Sequence, residues 1–397
     1  MINASLKNKI SAKLDEIAEA VLSYDHKESL SISYLGGLSG VLPFLFDYGH
    51  YKNDERFTDL AENYIYDMVG NLESNNVSHL YSSGIAGFAW VLEWLAEQEY
   101  VEKLEVLHPF DTILCNHMLR DMSQNNWDAL HGAIGVSFYL FKRIENPEVK
   151  TALENLVLKM EEKSEKSENG TKWQNLDYTT KAVVYNFGLA HGMPSIMIFL
   201  AKCVELNIHK DKSKAMLMDL IRYFKEQKSK NADHEFIYPN TEEGHDTGPR
   251  LAWCYGDLGI TVAFQYVNEI VGGLDDELAA LIKDLLTRRN LKASRINDAG
   301  FCHGASSVAH IYQYLMLKGH KQIKVEDIEY WLESSLALAV HPDGFGGYKA
   351  YMPSQEDKNK DPWEKDIGLL TGSVGIASVY LSILNDNLSW SKGLMLF

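Results

Sequence analysis

Apolar residues recur at spacings of three and four in seven charged segments of the chain, and this period predicts amphipathic helices with one buried face. In one of these segments, for example, Leu278, Leu281 and Leu285 lie on the same helical face. A second kind of segment is apolar around most of its circumference, as in GFAWVLEWLAEQ from Gly87 and GIASVYLSIL from Gly375, and predicts a helix buried on all sides. The charged segments are 8–23, 54–72, 104–120, 147–162, 211–227, 275–289 and 325–340.

A short glycine motif separates the two kinds of segment. Aligned on G-x-x-G, its copies read LGGLSG, SSGIAG, LHGAIG, AHGMPS, CYGDLG, CHGASS and LTGSVG. Ser195 and Ser307 replace the closing glycine in two copies, which keeps that position small. Small residues in the first turn of a buried helix let neighbouring backbones approach, so we expect helix packing to be the main role of the motif. The first glycines of the copies are Gly37, Gly84, Gly132, Gly192, Gly256, Gly304 and Gly372.

The repeating unit is therefore an outer amphipathic helix, a loop, the glycine motif and a buried inner helix. Two-helix repeats of about 45 residues stack into solenoids or close into rings. Because every inner segment is apolar on all sides, we predict closure into an all-α fold, an α/α toroid (barrel) of seven outer and inner helix pairs. The inner helices would run parallel, with their N-termini at one mouth. No composition shift interrupts the repeats, so we predict a single domain over 1–397.

Three inserts lengthen the spacing between motifs. Residues 163–186 are polar and predict a loop, and residues 228–250 form a second insert. The third, 341–367, contains HPDGFGGYKAY, which predicts a short hairpin or a glycine-rich turn.

Charge and cysteine content exclude several classes of protein. The 397 residues include 38 Lys and Arg against 55 Asp and Glu, a formal net charge of −17, which argues against binding nucleic acid through phosphates and permits a cationic partner. Four cysteines exclude a disulfide-stapled scaffold and fit a reducing compartment. The N-terminal residues carry charges in every turn, and no window approaches about 18 uninterrupted apolar residues. We therefore expect a soluble, cytoplasmic protein without a membrane span.

Two cysteines share one phase of the repeat, because Cys254 and Cys302 each lie two residues before a first glycine in neighbouring repeats. Adjacent repeats would place the two thiols side by side. Two Cys and one His form a zinc-type ligand set, and three protein ligands leave an open position, as in catalytic zinc sites. A disulfide between them is disfavoured by the compartment. We interpret Cys115 and Cys203 as small buried hydrophobes.

The spacing alone does not identify the histidine that completes the set. His303, His191 and His131 each lie one residue before a first glycine. The ordinary alternative for each is a neutral core histidine or one that orients a ligand, and for His131 we keep that interpretation.

The motifs resemble those of the lanthionine synthetase C (lantibiotic cyclase) family, and the resemblance covers all seven repeats. Its most specific parts are R-x-x-W-C-Y-G at 250–256, C-H-G at 302–304, A-H-G at 190–192 and W-D-A-L-H-G at 127–132. The resemblance implies zinc bound by Cys254, Cys302 and His303. It also implies acid/base or positioning roles for His191, Asp128 and Arg250, and a place in the site for Tyr255.

The resemblance further implies an enzyme that adds cysteine thiols to dehydroalanine or dehydrobutyrine, forming lanthionine or methyllanthionine thioether rings in a lanthipeptide precursor. Because 397 residues leave no room for a dehydratase or kinase region, we expect a stand-alone cyclase. Its expected partners are the dehydrated precursor peptide (leader plus core) and a separate lanthipeptide dehydratase, with an export transporter as a further candidate.

Three alternatives remain open at this point. One is a zinc enzyme that adds glutathione or another thiol to dehydroamino acids. Another is a non-catalytic peptide-binding scaffold in a dehydratase complex. A protein prenyltransferase fits less well, because that class uses Asp-Cys-His ligands and a second subunit.

Overall fold

The computed structural model describes residues 2–25, 31–72, 77–103, 107–176, 182–228, 236–242, 250–354 and 356–397. Each charged amphipathic segment contains a helix, which confirms the periodicity argument; residues 104–106 of the third segment lie outside the described residues. These outer helices are α1 (Ala4–Leu22), α3 (Glu55–Asn71), α5 (His108–Ser123), α7 (Pro147–Lys163), α9 (Lys210–Glu226), α11 (Asp275–Leu285) and α13 (Val325–Ala337).

The inner helices follow the glycine motifs, as predicted. They are α2 (Leu38–Lys52), α4 (Ile85–Glu97), α6 (Ala133–Lys142), α8 (Met193–Glu205), α10 (Asp257–Val271), α12 (Ala305–Leu317) and α14 (Ser373–Asn385). Their burial differs from that of the outer helices in the expected way. In α10 every residue from Asp257 to Val267 is buried, whereas α11 buries only Leu278, Leu281, Ile282 and Leu285. No helix among the described residues combines the length and apolarity needed to cross a membrane.

The inserts carry short strands. The prediction of a loop over 163–186 was wrong, because this segment contains the antiparallel pairs β1 (Glu165–Ser167) with β2 (Gly170–Lys172) and β3 (Asn175–Leu176) with β4 (Val183–Val184). The strands are too short for period-two patterning to reveal them. In the third insert β5 (Ala350–Tyr351) pairs with β6 (Trp363–Glu364), which confirms the predicted hairpin. A short 3₁₀ helix spans Ser389–Leu394.

The chain divides into two compact units. The first contains Met1–Ser78, Ser82–Glu102 and Leu286–Lys392, and therefore α1 to α4, α12 to α14 and the β5–β6 hairpin. Within this unit α14 packs against both α1 and α2, so the last repeat contacts the first. The backbone shows the same contact, because the Leu370 N–H donates to the Leu35 carbonyl oxygen at 2.8 Å.

The second unit contains His79–Tyr81, Lys103–Leu285 and Gly393–Phe397, and therefore α5 to α11 with β1 to β4. Its inner helices α6, α8 and α10 pack in sequence order, and α9 packs against α8 and strand β2. The β1–β2 and β3–β4 pairs therefore belong to the same unit as the third, fourth and fifth glycine motifs.

The first glycines of the third and fourth motifs lie close to the backbone of their own loops. In the fourth repeat the Met193 N–H, at the start of α8, donates to the Asn186 carbonyl oxygen at 2.9 Å, which satisfies a helix N–H that lacks an intrahelical partner. A Cβ on Gly192 would lie 2.2 Å from that oxygen, so only glycine permits the approach. The loop before α6 is built the same way, with the Ala133 N–H donating to the Asn126 carbonyl oxygen at 3.0 Å.

The closing glycine faces the neighbouring repeat as well as its own loop. A Cβ on Gly259 would lie 2.3 Å from the Trp253 carbonyl oxygen and 3.0 Å from Cβ of Leu189 in the preceding repeat. A Cβ on Gly375 would likewise lie 2.0 Å from the Leu369 carbonyl oxygen. Packing between repeats is thus part of the glycines' role, and closure of each loop onto its helix is the other part.

Candidate functional site

Residues two positions before the first glycines link neighbouring repeats through their backbones. In the first unit the Cys302 N–H donates to the Leu370 carbonyl oxygen at 2.7 Å, and Leu370 donates in turn to Leu35. In the second unit the Ala190 N–H donates to the Cys254 carbonyl oxygen at 3.2 Å. Residues of this phase therefore lie side by side in neighbouring repeats within each unit.

Cys254 lies in the turn before α10. It is not in a disulfide, and it is only 8% exposed. The turn is fixed on both sides, because buried Trp253 donates from Nε1 to the Leu394 carbonyl oxygen at 2.8 Å and Gly256 has a φ of 90°. The first glycines of the third and fourth motifs are extended instead, so the fifth turn follows a distinct path that requires glycine at 256.

Cys302 and His303 lie just before the N-terminus of α12 in the first unit, and both are half-buried. Nε2 of His303 lies 3.9 Å from Oδ2 of Asp298. The Asp298 carboxylate is buried and fixed in place, because it accepts from the Gly300 N–H at 3.1 Å and the Tyr351 N–H at 2.8 Å. A fixed carboxylate beside an imidazole is the usual arrangement that orients a metal-binding histidine.

Asp128 and His191 meet in the second unit. Oδ2 of Asp128 lies 2.7 Å from Nδ1 of His191, and Oδ1 accepts from the backbone N–H groups of Leu130 at 2.7 Å and His131 at 2.8 Å. Burial alone would raise the pKa of Asp128, but the charge of His191 and the hydrogen bonds from His131 and His191 outweigh it and hold the pKa well below its ordinary value. The carboxylate is therefore ionised and orients the His191 ring.

His131 lies against the same pair. Its ring is parallel to that of His191 with centroids 5.6 Å apart, and its Nδ1 lies 3.5 Å from Oδ1 of Asp128. One potential ligand atom from each of Asp128, His131 and His191 falls within a span of 4.8 Å, so this group has the composition of a metal site. Because the Asp128 carboxylate already joins His191 through a short hydrogen bond, we interpret the group as a carboxylate that orients imidazoles.

Tyr255 also joins this part of the second unit. Its ring centroid lies 5.8 Å from that of His191, and its hydroxyl accepts from Nδ2 of Asn186 at 2.9 Å. A Cβ on Gly188 would lie 2.6 Å from the Tyr255 ring, so the glycine makes room for this packing. The structure thus brings Asp128, His191 and Tyr255 together in the second unit.

Arg250 is exposed and directly follows residues 243–249, which lie outside the described residues. It stands six residues before Gly256. The role of Arg250 therefore stays a prediction.

Sequence reasoning missed two buried asparagines, Asn175 and Asn186. Asn186 lies six residues before Gly192, and the same position holds Asn126, Asp298 and Asp366 before other first glycines. That repeated position was a usable signal for Asn186. Asn175 lies in the polar insert, where no repeat marks it.

Comparisons with known proteins were made for the whole chain. Residues 28–396 match the model of the family described as lanthionine synthetase C-like protein. The chain is 23% identical over 307 residues to the nisin biosynthesis protein NisC of Lactococcus lactis subsp. lactis, covering 69% of this chain and 71% of that protein. Among solved structures, the nisin cyclase matches with a TM-score of 0.72 at 18% identity, covering 100% of this chain and 98% of the other. The structural match confirms the fold class predicted from the repeats.

Proposed function

Since this chain belongs to the lanthionine synthetase C-like family, we propose that it is a stand-alone lanthipeptide cyclase. It adds a cysteine thiol of a dehydrated precursor peptide to a dehydroalanine or dehydrobutyrine of the same peptide. A carbon–sulfur bond forms at the β-carbon and a proton is added to the α-carbon, so the reaction needs no oxidant or reductant. The observation that carries the proposal is the Asp128–His191 hydrogen bond, which lies beside the ring of Tyr255, the residue that follows Cys254.

We propose Cys254, Cys302 and His303 as the ligands of a zinc ion. The donor set fits, because neither cysteine is in a disulfide and His303 lies beside a fixed carboxylate. Cys302 and His303 also directly precede α12, and the N-terminus of a helix favours a thiolate. When bound, zinc makes a coordinated substrate thiol a thiolate near neutral pH, where a free thiol of pKa about 8.5 is mostly protonated.

His191 moves the proton in this proposal. Its Nδ1 faces Asp128, so Nε2, on the opposite side of the ring, is the atom that exchanges a proton with the substrate. The ionised Asp128 fixes the tautomer and the orientation of the His191 ring. Tyr255 lines the same region, and its hydroxyl is already held by Asn186.

Arg250 has the charge to stabilise the enolate oxygen that develops as the thiolate attacks. Its exposure leaves the guanidinium accessible to a peptide.

A net charge of −17 on the chain suits a cationic leader or core segment. We place the enzyme in the cytoplasm, where it acts on the precursor after a separate dehydratase.

Identifying the thiol donor tests this function. The zinc-loaded protein is incubated with a dehydrated precursor that retains its cysteines, in the presence of excess glutathione, and the product is analysed by mass spectrometry. Cyclisation leaves the peptide mass unchanged while its free thiols disappear. A mass gain equal to glutathione would assign the chain to intermolecular thiol addition instead.

A further inference from the structure

Asn175 joins the two turns that carry Asp128 and His191. The Trp127 N–H, immediately before Asp128, donates to Oδ1 of Asn175 at 3.1 Å, and Nδ2 of Asn175 donates to the carbonyl oxygen of His191 itself. One amide thus contacts both turns at once. The side chain is 4% exposed, so water offers little competition for these hydrogen bonds.

The insert hairpin holds Asn175 rigidly. Asn175 lies in β3 and pairs with Val184 of β4. Asn186 follows β4 by two residues, and its side chain donates to the Tyr255 hydroxyl at 2.9 Å. The neighbouring Trp173 is fully buried and donates from Nε1 to the Met160 carbonyl oxygen at 2.8 Å. The hairpin is therefore anchored on α7 and presents two asparagines to the turns that carry Asp128, His191 and Tyr255.

We propose that Asn175 is a positioning residue that sets the contact between Asp128 and His191. This inference rests on the proposed function, because it assigns Asn175 a role in orienting the proposed acid. Asp128 lies on the third motif loop and His191 on the fourth. Asn175 therefore adds a connection between the two loops to the 2.7 Å hydrogen bond that joins Asp128 and His191. A catalytic group displaced by about 1 Å loses about a hundredfold in rate, so a tie between the two backbones acts on kcat.

A double-mutant cycle tests whether Asn175 acts through this contact. We expect Asn175→Ala to lower kcat by about 10- to 100-fold with little change in KM, and to have no further effect in an Asp128→Asn background. Asn175→Asp is the second variant, because it keeps the acceptor for Trp127 but cannot donate to the His191 carbonyl oxygen; it should also lower kcat. Gln174→Ala is the matched control at the preceding position, since Gln174 donates to the Tyr185 hydroxyl and its replacement should leave kcat unchanged.

A readout without turnover separates this inference from the proposed function. In ¹⁵N-histidine-labelled protein, the hydrogen-bonded Nδ1 proton of His191 should give a protected NMR signal that Asn175→Ala weakens or removes and Gln174→Ala retains. An unchanged His191 signal in Asn175→Ala, or additive effects in the kinetic cycle, would overturn the positioning role. Loss of thermal stability without either effect would assign Asn175 a structural role only. A wild-type protein that shows the signal but forms no thioether would instead refute the proposed function.

Discussion

Asp128 and His191 are 63 residues apart in the chain and are joined by a 2.7 Å hydrogen bond between Oδ2 and Nδ1. Each residue belongs to the loop that starts an inner helix, so the repeat brings them together. The buried carboxylate is ionised, because its hydrogen bonds and the neighbouring imidazoles hold its pKa well below the ordinary value. The pair is therefore prepared to hold and transfer a proton.

Replacing His191 tests its role as the proton donor. His191→Asn should retain zinc, because His191 is outside the proposed ligand set, and should lower kcat for thioether formation by about 10²- to 10⁴-fold. Asp128→Asn should lower kcat in the same direction because it removes the charge that orients the ring. Zinc content and single-turnover rates measure both effects. Unchanged cyclisation in His191→Asn would refute the acid role.

Replacing the cysteines tests the metal site. Cys254→Ala and Cys302→Ala should each abolish tight zinc binding, because only two protein ligands remain. Cys115→Ala is the matched control: Cys115 is also a free, buried thiol, in α5, and its replacement should leave the zinc content unchanged. Metal analysis after dialysis gives the stoichiometry. Full zinc content in the Cys254→Ala, Cys302→Ala double variant would contradict the ligand assignment.

Adding one methyl group at two glycines tests the role of the motif. Gly192→Ala should destabilise the protein by about 1–3 kcal/mol, because its Cβ would lie 2.2 Å from a backbone oxygen. Gly70→Ala in α3 should instead stabilise it by about 0.5–1 kcal/mol, since its Cβ meets nothing within 4 Å. Urea unfolding monitors both variants. Equal stability of Gly192→Ala and the wild type would show that the close approach is not required.

Acid should destabilise the protein through His310, which is fully buried in α12 between the rings of Phe301 and Trp390. Burial lowers its pKa to about 3, whereas an unfolded chain binds the proton near pH 6.5. Stability is complete above pH 6.5 and falls below it, by about 2 kcal/mol between pH 7 and pH 5. His310→Leu should lose less stability over that range, as urea unfolding at the two pH values would show. The same loss in both proteins would exclude His310 as the cause.

Most of the helices could be predicted from the sequence, because burial of a helix face requires apolar residues at regular spacings. The outer helices follow the three-and-four spacing, and the inner helices follow the glycine motifs. The resemblance to the family, rather than the repeat phase, suggested site roles for Asp128 and His191. The contacts of Asn175 could not be predicted. Asn175 lies in a two-residue strand of a polar insert, and its partners Trp127 and His191 are distant in the sequence. The histidine that we propose for the metal site could not be identified from the repeat either, since His131, His191 and His303 each lie one residue before a first glycine.

Counting free thiols tests the central claim most directly. The zinc-loaded protein is incubated with a dehydrated peptide that contains cysteine, and the remaining thiols are tagged with an alkylating reagent and counted by mass spectrometry. We predict one lost tag for each ring, with no other change in peptide mass, and no loss with the Cys254→Ala, Cys302→Ala double variant. A tag count that stays constant with the wild-type protein, for precursors whose dehydration is verified, would contradict the account.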